Sequence, residues 1–515
     1  VNSKLDKAAL GLIAVYVIVL IVAGSKVHVM ETPGTAEMDG YADKADRILA
    51  GEIPRDPYHP LLYPILSAAA GRFAGGGFAG GRIVSSLCAG LLLGLTYLLG
   101  KSLYGRGAIG LLALGILLIN YNIITMGMEA ATDMTFAALA ATVLFLSVRV
   151  GSTMSGRAAA GLGAVFGLAL FTRYSAFFLL PAIVAAVTLP SAKVPVRRRA
   201  IASAWLAGAA LIALIPHFIL TERVFGTPWY SESWRNLALK MHGGYDWSYF
   251  RSVRYNGLIP TVLSSPRTFV LSFLREIARF LYGTIRQLGG GGVAGVLFMI
   301  GALAGLCAAL FRMDRRKLIA VLFAGGYVAL TCVFFYSGPR FMLPVLPVGC
   351  LWAGAAMLSG PMSRSFRLGR FLVPRSRPLI AIFAAVLVAS TWGHMRAYAH
   401  AQPVRELEAA RFIERTYGDG VTVLGTFPFM QRYVTYRYAE LPDADASQAA
   451  HPDAYIDALR GDVIAWHADF ILIGRLSLEN RPPGLLSAER PPAFLEPVLR
   501  EGDVVVYRVR EEALE

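Results

Sequence analysis

Two short acidic stretches carry the first chemical signal. The earlier one is Glu37-Met38-Asp39-Gly40-Tyr41-Ala42-Asp43-Lys44-Ala45-Asp46, followed by His59-Pro60-Leu61-Leu62-Tyr63-Pro64. A carboxylate here can take a proton from an attacking hydroxyl, and Asp39 is the candidate for such a general base. Asp39 also suits the N-cap of a helix opening near Tyr41, where Asp is favoured. Glu37 and Asp43 stand close enough to leave the choice of acid open. The later stretch is Glu129-Ala130-Ala131-Thr132-Asp133, at the mouth of a long apolar segment. An ionisable group there needs a partner, water or a cation to offset its desolvation, which makes Asp133 a functional candidate. Its alternative role is again a cap, for a helix over Met134–Val148. Three arginines punctuate the apolar segments at the same ends: Arg82, Arg173 and Arg340. Arginine binds phosphate through two parallel charge-assisted hydrogen bonds; each of the three could equally snorkel to lipid headgroups.

Positioning these residues falls to a membrane frame. Hydrophobic residues make up 56% of the chain and charged residues 16%, against about 25% charged in ordinary soluble domains. Uncharged runs occupy Ala8–Ser25, Ile83–Gly100, Gly107–Met128, Tyr174–Ala192, Ala200–Thr221, Gln287–Phe311, Leu318–Pro339, Phe341–Ser363 and Pro378–Met395. Each approaches or exceeds the ~18–20 apolar residues that cross a bilayer as helix. Two shorter runs, Met134–Val148 and Ala158–Thr172, are bounded by charges. The fold class read from this is a polytopic α-helical membrane protein of about 11 transmembrane helices, and a small C-terminal α/β domain follows them.

The net charge of +15 does not indicate a nucleic-acid partner, because the basic residues cluster in short connections. They are Lys101 and Arg106, Arg149 and Arg157, Lys193 with Arg197–Arg199, Arg312 with Arg315–Lys317, and Arg364–Arg377. These fall on one side if the spans alternate from a cytoplasmic N-terminus, the positive-inside arrangement. The first span is expected to be retained, since Ala23-Gly24-Ser25 is only a weak cleavage-like site. The four cysteines sit in predicted spans and offer neither a disulfide framework nor a CxxC metal site.

Three pieces then face outward: residues 26–82, residues 222–286 and everything after Arg396. The first is expected to hold short helices at Tyr41–Ala50 and Leu61–Phe73, separated by Pro54, Pro57, Pro60 and Pro64. The second carries nine Lys/Arg against four Asp/Glu and suits an anionic partner. Its end, Pro266–Arg286, reads as an interfacial amphipathic helix, and Trp229, Trp234 and Trp247 fit an interfacial belt. The third reads as a compact α/β domain, with helices at Arg405–Arg415 and Ala454–Leu459 and strands at Val421–Phe427, Phe470–Gly474 and Val504–Val509. The glycine run Gly289–Gly292 lacks the Lys-Ser/Thr of a phosphate loop and is read as a flexible link.

Taken in order, these features resemble a family. The Asp39 loop, His59-Pro60-Leu61-Leu62-Tyr63-Pro64, Arg82, Asp133, Phe171-Thr172-Arg173-Tyr174, Phe225-Gly226-Thr227-Pro228 and Arg340-Phe341-Met342-Leu343-Pro344 look like the bacterial polyprenyl-phosphate-sugar-dependent glycosyltransferases of GT-C fold. That superfamily contains the protein O-mannosyltransferases and the lipid A aminoarabinose transferase. The resemblance spans about Lys4–Met395 and implies a GT-C catalytic module over 1–395, with an extracytoplasmic domain over 396–515. It implies Asp39 as the catalytic base, and Asp133 as an acidic residue that positions substrate or, in some members, a divalent cation. It implies Arg82 and Arg340 as holders of the donor phosphate. Tyr63, His59, Glu129 and Arg173 are further candidates for substrate binding. The family often has two prolines after the histidine, whereas Leu61 follows Pro60 here.

The implied activity is inverting transfer of a sugar from a polyprenyl-phosphate donor to a lipid, polysaccharide or protein hydroxyl outside a bacterial inner membrane. A lipid-linked substrate flippase and a pyrophosphate-donor oligosaccharide transferase are the alternatives. A flippase would want ionisable groups near mid-bilayer, whereas Asp39, Asp133, Arg82 and Arg340 are all predicted near one face.

Overall fold

The computed structural model describes residues 3–32, 36–189, 194–243, 257–311, 314–358, 365–368, 371–374, 376–427, 429–441, 452–474 and 491–514. Lys193, Trp247, Arg312, Arg364, Arg370 and Arg375 lie outside them. The chain divides into two compact units. One comprises Val1–His28 with Asp39–Ala399, and the other Val29–Met38 with His400–Glu515.

The described residues of the first unit are helical over most of its apolar runs. Among the described residues eight helices are long and apolar enough to cross a bilayer. They include α1 (Ser3–Val27), α4 (Gly77–Tyr104), α7 (Thr132–Thr153) and α10 (Val196–Phe225); later come Gly292–Phe311, Arg315–Phe334, Pro339–Leu358 and the helix opening at Ser376. The short helices α2 (Tyr41–Leu49) and α3 (Leu62–Ala74) lie between α1 and α4, where the sequence places them. Two more apolar helices, α8 (Gly156–Thr172) and the Tyr174–Thr188 stretch that ends in α9 (Leu180–Thr188), are shorter.

The run Gly107–Met128 reads as one span but folds as two helices, α5 (Gly107–Leu118) and α6 (Tyr121–Met128), bent by 63°. Asn120 makes the break. Its side chain accepts the Asn122 amide at 3.0 Å, capping α6, and its Nδ2 donates to the Leu288 carbonyl at 2.7 Å. A capping side chain offers the backbone an alternative to continued helix. Among the described residues the eight full-length helices and the bent pair give up to nine candidate spans, fewer than the expected count of about 11, which also takes in the two shorter helices.

Close approach joins α3 to α4. A Cβ on Gly80 of α4 would stand 2.1 Å from the Ser67 carbonyl oxygen of α3, so only glycine lets these helices pack at this distance. The Gly289–Gly292 run is a defined turn: Gly290, Gly291 and Gly292 have φ of 108°, 71° and 46°, and the Gly291 amide donates to the Arg286 carbonyl at 2.8 Å. Pro266–Arg286 forms a helix over Pro266–Arg279, then a wider turn over Phe280–Thr284. Phe273, Ile277 and Phe280 pack on the helical core, while Val270, Leu271, Leu274 and Leu281 are exposed. Trp229 joins an aromatic group with Tyr174, Phe177, His217 and Phe218. A hairpin of β1 (Ser365–Leu368) and β2 (Phe371–Pro374) precedes the Ser376–Ala401 helix.

The second unit is a three-layer α/β fold. Its five strands are β3 (Thr422–Gly425), β4 (Arg437–Glu440), β5 (Phe470–Ile473), β6 (Leu495–Glu501) and β7 (Val504–Val509), in the order β4-β3-β5-β7-β6. β3 pairs in parallel with β4 and β5, and β7 runs antiparallel to β5 and β6. Side-chain alternation explains the layers. Val423, Phe470, Leu472 and Val506 face the Val404–Tyr417 helix side with Leu407, Ala410 and Ile413. Leu424, Ile471, Ile473 and Tyr507 face the Pro452–Trp466 side with Tyr455, Leu459 and Val463. Met30 is buried in the first of these cores. Glu31 pairs with Arg432 at 3.3 Å, and its amide donates to the Tyr433 hydroxyl at 3.0 Å.

Candidate active site

Asp39 ends a 3-10 turn at the entrance to α2. It is not the cap of that helix: Gly40 occupies the position, with φ of 68° and no side-chain cap. The Asp39 carboxylate instead accepts from Arg340 Nη2 at 2.9 Å, and Lys44 Nζ donates to the Asp39 carbonyl at 2.6 Å. Burial pushes this carboxyl up. His59, Arg340, Arg173 and Lys44 together outweigh burial and hold it below the ordinary carboxylate range. Of the neighbouring acids, Asp43 is exposed, while Glu37 is buried and accepts the Thr32 amide at 2.8 Å.

Asp133 lies one residue inside α7, whose cap is Ala131 with no side-chain bond. Only 1% of its side chain is exposed. Its Oδ1 accepts from Arg173 Nη1 at 2.9 Å and stands 4.0 Å from Arg340 Nε. Oδ2 of Asp133 and Nε of Arg340 are buried with no hydrogen-bond partner among the described residues. Phe341 floors the group, with the Arg340 guanidinium 4.7 Å and that of Arg173 5.5 Å from its ring centre. Thr132 donates to the Tyr41 hydroxyl at 3.2 Å, which ties α7 to α2. Burial and the nearby Asp39 carboxylate push the Tyr41 phenol well above its usual range. Four predicted residues, Asp39, Asp133, Arg173 and Arg340, therefore meet, although up to 301 positions separate them in sequence.

His59 is the fifth. Its Nδ1 stands 3.0 Å from Asp56 Oδ2 and its Nε2 4.0 Å from Asp39 Oδ2. The Asp56 Oδ1 accepts the amides of Tyr58 at 2.7 Å and His59 at 2.9 Å, and its Oδ2 also pairs with Lys44. Burial works against this charge, but His59 and Lys44 hold the carboxyl well below its usual range.

Arg82, Tyr63 and Glu129 are placed differently. Arg82 Nη1 donates to the Gly24 and His28 carbonyls at 2.6 Å each, where it covers the acceptor-rich C-terminal end of α1. Its guanidinium lies over Phe78 at 4.7 Å. The Tyr63 hydroxyl donates to the Gly81 carbonyl at 2.9 Å and meets Ser85 Oγ at 3.0 Å, fully buried. Its ring supports Tyr41 edge-on at 5.5 Å. Glu129 is 2% exposed and follows the last turn of α6. Sequence reasoning missed Asp56, Lys44 and Tyr41. For Asp56 a signal exists: an Asp three residues before a His, in a proline-rich turn, is placed to hold both the turn amides and the ring.

A divalent cation does not fit this donor set. Asp133 already faces Arg173 and Arg340, and Asp39 faces Arg340 and His59. No group of three or more His, Cys, Asp or Glu among the described residues could hold an ion.

A second buried charge cluster lies just before Arg340 in the chain. Lys240 is fully buried, and its Nζ donates to the carbonyls of Cys332 at 2.8 Å and Val333 at 2.5 Å. These carbonyls close the C-terminal end of the Arg315–Phe334 helix. Glu276 Oε2 accepts from the Ser337 amide at 2.8 Å and its hydroxyl at 3.0 Å. Burial pulls the Lys240 amine down to about 8, with Glu276 opposing.

Residues 58–220 match the family model described as dolichyl-phosphate-mannose-protein mannosyltransferase. No curated relative matches the sequence. Crystal structures of ArnT from Cupriavidus metallidurans share the fold at 15% identity. The form bound to undecaprenyl phosphate has a TM-score of 0.58 and covers 96% of this chain and 97% of that one. The apo form has a TM-score of 0.60, covering 97% and 98%.

Proposed function

We propose that this chain is a membrane glycosyltransferase of the GT-C superfamily that moves a sugar from a polyprenyl-phosphate carrier to an acceptor hydroxyl, at the outer face of a bacterial inner membrane. The observation that carries the reading is the meeting of Asp39 and Asp133 with Arg340 and Arg173, in a turn region flanked by apolar helices. One pair of acids can manage a proton and a sugar; one pair of guanidiniums can manage a phosphate. ArnT, which shares the fold, has been crystallised with undecaprenyl phosphate, a lipid of the class proposed here as carrier.

In this mechanism Asp39 draws the proton from the acceptor hydroxyl as its oxygen attacks the anomeric carbon. The lipid phosphate leaves from the opposite side, and one displacement inverts the configuration. Arg340 Nε, which lacks a hydrogen-bond partner among the described residues, donates to the phosphate, and Arg173 adds its charge. Preorganised donors of this kind stabilise developing charge without reorganising solvent. Asp133 Oδ2 accepts from a sugar hydroxyl, while its Oδ1 keeps Arg173 in place. Arg82 holds the C-terminal end of α1. Residues 1–28 and 39–399 form the catalytic module, with the N-terminus cytoplasmic, and residues 29–38 with 400–515 form an extracytoplasmic domain.

Turnover of radiolabelled undecaprenyl-phosphate monosaccharides by purified protein in lipid tests the reading. Release of undecaprenyl phosphate that requires a membrane acceptor extract, and falls by roughly a thousand-fold in Asp39→Asn, supports it. No release from any donor by folded wild-type protein overturns it.

A further inference from the structure

Removing a proton requires somewhere to keep it, and Asp39 is poorly suited to that task. Four positive or ionisable groups surround its carboxylate, and a base works best when its proton affinity matches the working pH. His59 stands beside it with the geometry of a proton acceptor. Asp56 is an ionised carboxylate and accepts only, so the Nδ1 of His59 at 3.0 Å must donate to it. In the neutral ring this leaves the lone pair on Nε2, the atom facing Asp39 Oδ2 at 4.0 Å. Asp56 is itself fixed, 5% exposed and held by two backbone amides and Lys44. A base oriented by a buried carboxylate is the logic of a catalytic triad without its nucleophile.

The surroundings fit a group that cycles between neutral and charged. The carboxylates of Asp39 and Asp56 flank the ring, and each is shared with a cation, Arg340 and Lys44 respectively. The Tyr41 ring meets it edge-on at 5.4 Å and Tyr58 at 6.4 Å. The flanking charges are thus nearly balanced in the resting state and ready to stabilise an imidazolium. With 29% of its side chain exposed, the ring can also return the proton to water.

Resting on the transferase reading above, we propose that His59, held by Asp56, is the final acceptor of the proton released by the acceptor hydroxyl. The hydroxyl O–H breaks as its oxygen bonds the anomeric carbon. The bond from that carbon to the phosphate oxygen breaks, and its electron pair leaves with the phosphate. The proton passes through the Asp39 carboxylate to His59 Nε2. Catalytic hydrogen bonds are often long before substrate binds, and a shift of about 1 Å closes the gap to hydrogen-bond length.

The test uses the full chain in lipid with the undecaprenyl-phosphate monosaccharide that wild type consumes, and reads kcat against pH together with donor Kd. Wild type should lose kcat on the acid side as His59 becomes protonated. His59→Ala should lose roughly 10²–10⁴-fold in kcat, lack that acid limb, retain donor affinity and recover partly with added imidazole. His59→Gln, which keeps a donor toward Asp56 and preserves the turn, should lose kcat similarly without rescue. Asp56→Asn should move the acid limb to lower pH. An acid limb that persists in His59→Ala, or a His59→Gln enzyme with wild-type kcat, overturns the proposal while the transferase stands. A wild type that releases no undecaprenyl phosphate from any donor removes both.

Discussion

Two buried charge clusters lie within a few residues of each other along the segment from Cys332 to Arg340, and they differ in what is left over. Around Lys240 the polar groups meet fixed protein partners. The amine takes two helix-end carbonyls, and Glu276 takes both donors of Ser337. Around Arg340 the pairs are as short, yet Arg340 Nε and Asp133 Oδ2 have no hydrogen-bond partner among the described residues. Leaving a buried polar atom unmet costs about 1–3 kcal/mol, so a cluster that keeps two such atoms is poised for a ligand. The contrast separates a joint that builds the turn from a site that uses it.

The largest effect on stability should come from Asp133→Asn. It leaves Arg173 buried opposite a neutral amide, and breaking such a pair costs about 3–5 kcal/mol. Thermal stability should drop, and turnover should fall by more than a hundred-fold. Stability loss with unchanged kcat would move Asp133 into the structural class. Arg340→Lys comes next. It keeps the charge but loses the planar fork that reaches Asp39 and the phosphate together, and should lower kcat by about 10²-fold with little change in melting temperature. Lys240→Met should do the reverse, lowering stability by about 1–3 kcal/mol and leaving kcat/KM within a few-fold; a large kcat loss would merge the two clusters. The smallest effect is a pH trend. Folding lowers the Lys240 amine to about 8 from its unfolded value of about 10.4, so the unfolded chain binds more protons between those values. Stability contributed by this group should rise with pH across that window, and Lys240→Met should flatten the rise in denaturant melts.

How legible this was depends on whether the signal is local. Uncharged runs locate α1, α4, α7 and α10 because crossing a bilayer sets their length and polarity. Asp39 and Asp133 stood out as acids beside apolar segments, and their pairing with Arg340 and Arg173 follows only from the fold. Local rules left each acid two roles, cap or chemistry, and the structure gives the cap positions to Gly40 and Ala131. Arg82 reads the same from sequence whether it faces a phosphate or the carbonyls that end α1. Asp56 was missed because the proline-rich connection that carries it has no periodicity to say which side chains face inward, and Lys44 because its partner is that same Asp56. The break at Asn120 was hidden by an uninterrupted apolar run, although an Asn inside such a run is itself a capping signal.

The second unit is not a contiguous stretch of chain, and that has consequences for synthesis. Met30 and Glu31 leave the ribosome long before Leu407, Ile413, Arg432 and Tyr433, the residues that cover and bind them within that unit. Until the last part of the chain is made, Met30 has no apolar cover, and the ten residues leading to Asp39 have no partner fold. A gene cut at residue 400 would therefore not yield two whole parts: one product would carry an unsheltered segment, the other a core missing a piece. A division that respects the boundary the fold draws keeps 29–38 with 400–515 and 1–28 with 39–399, which no single cut of the chain provides.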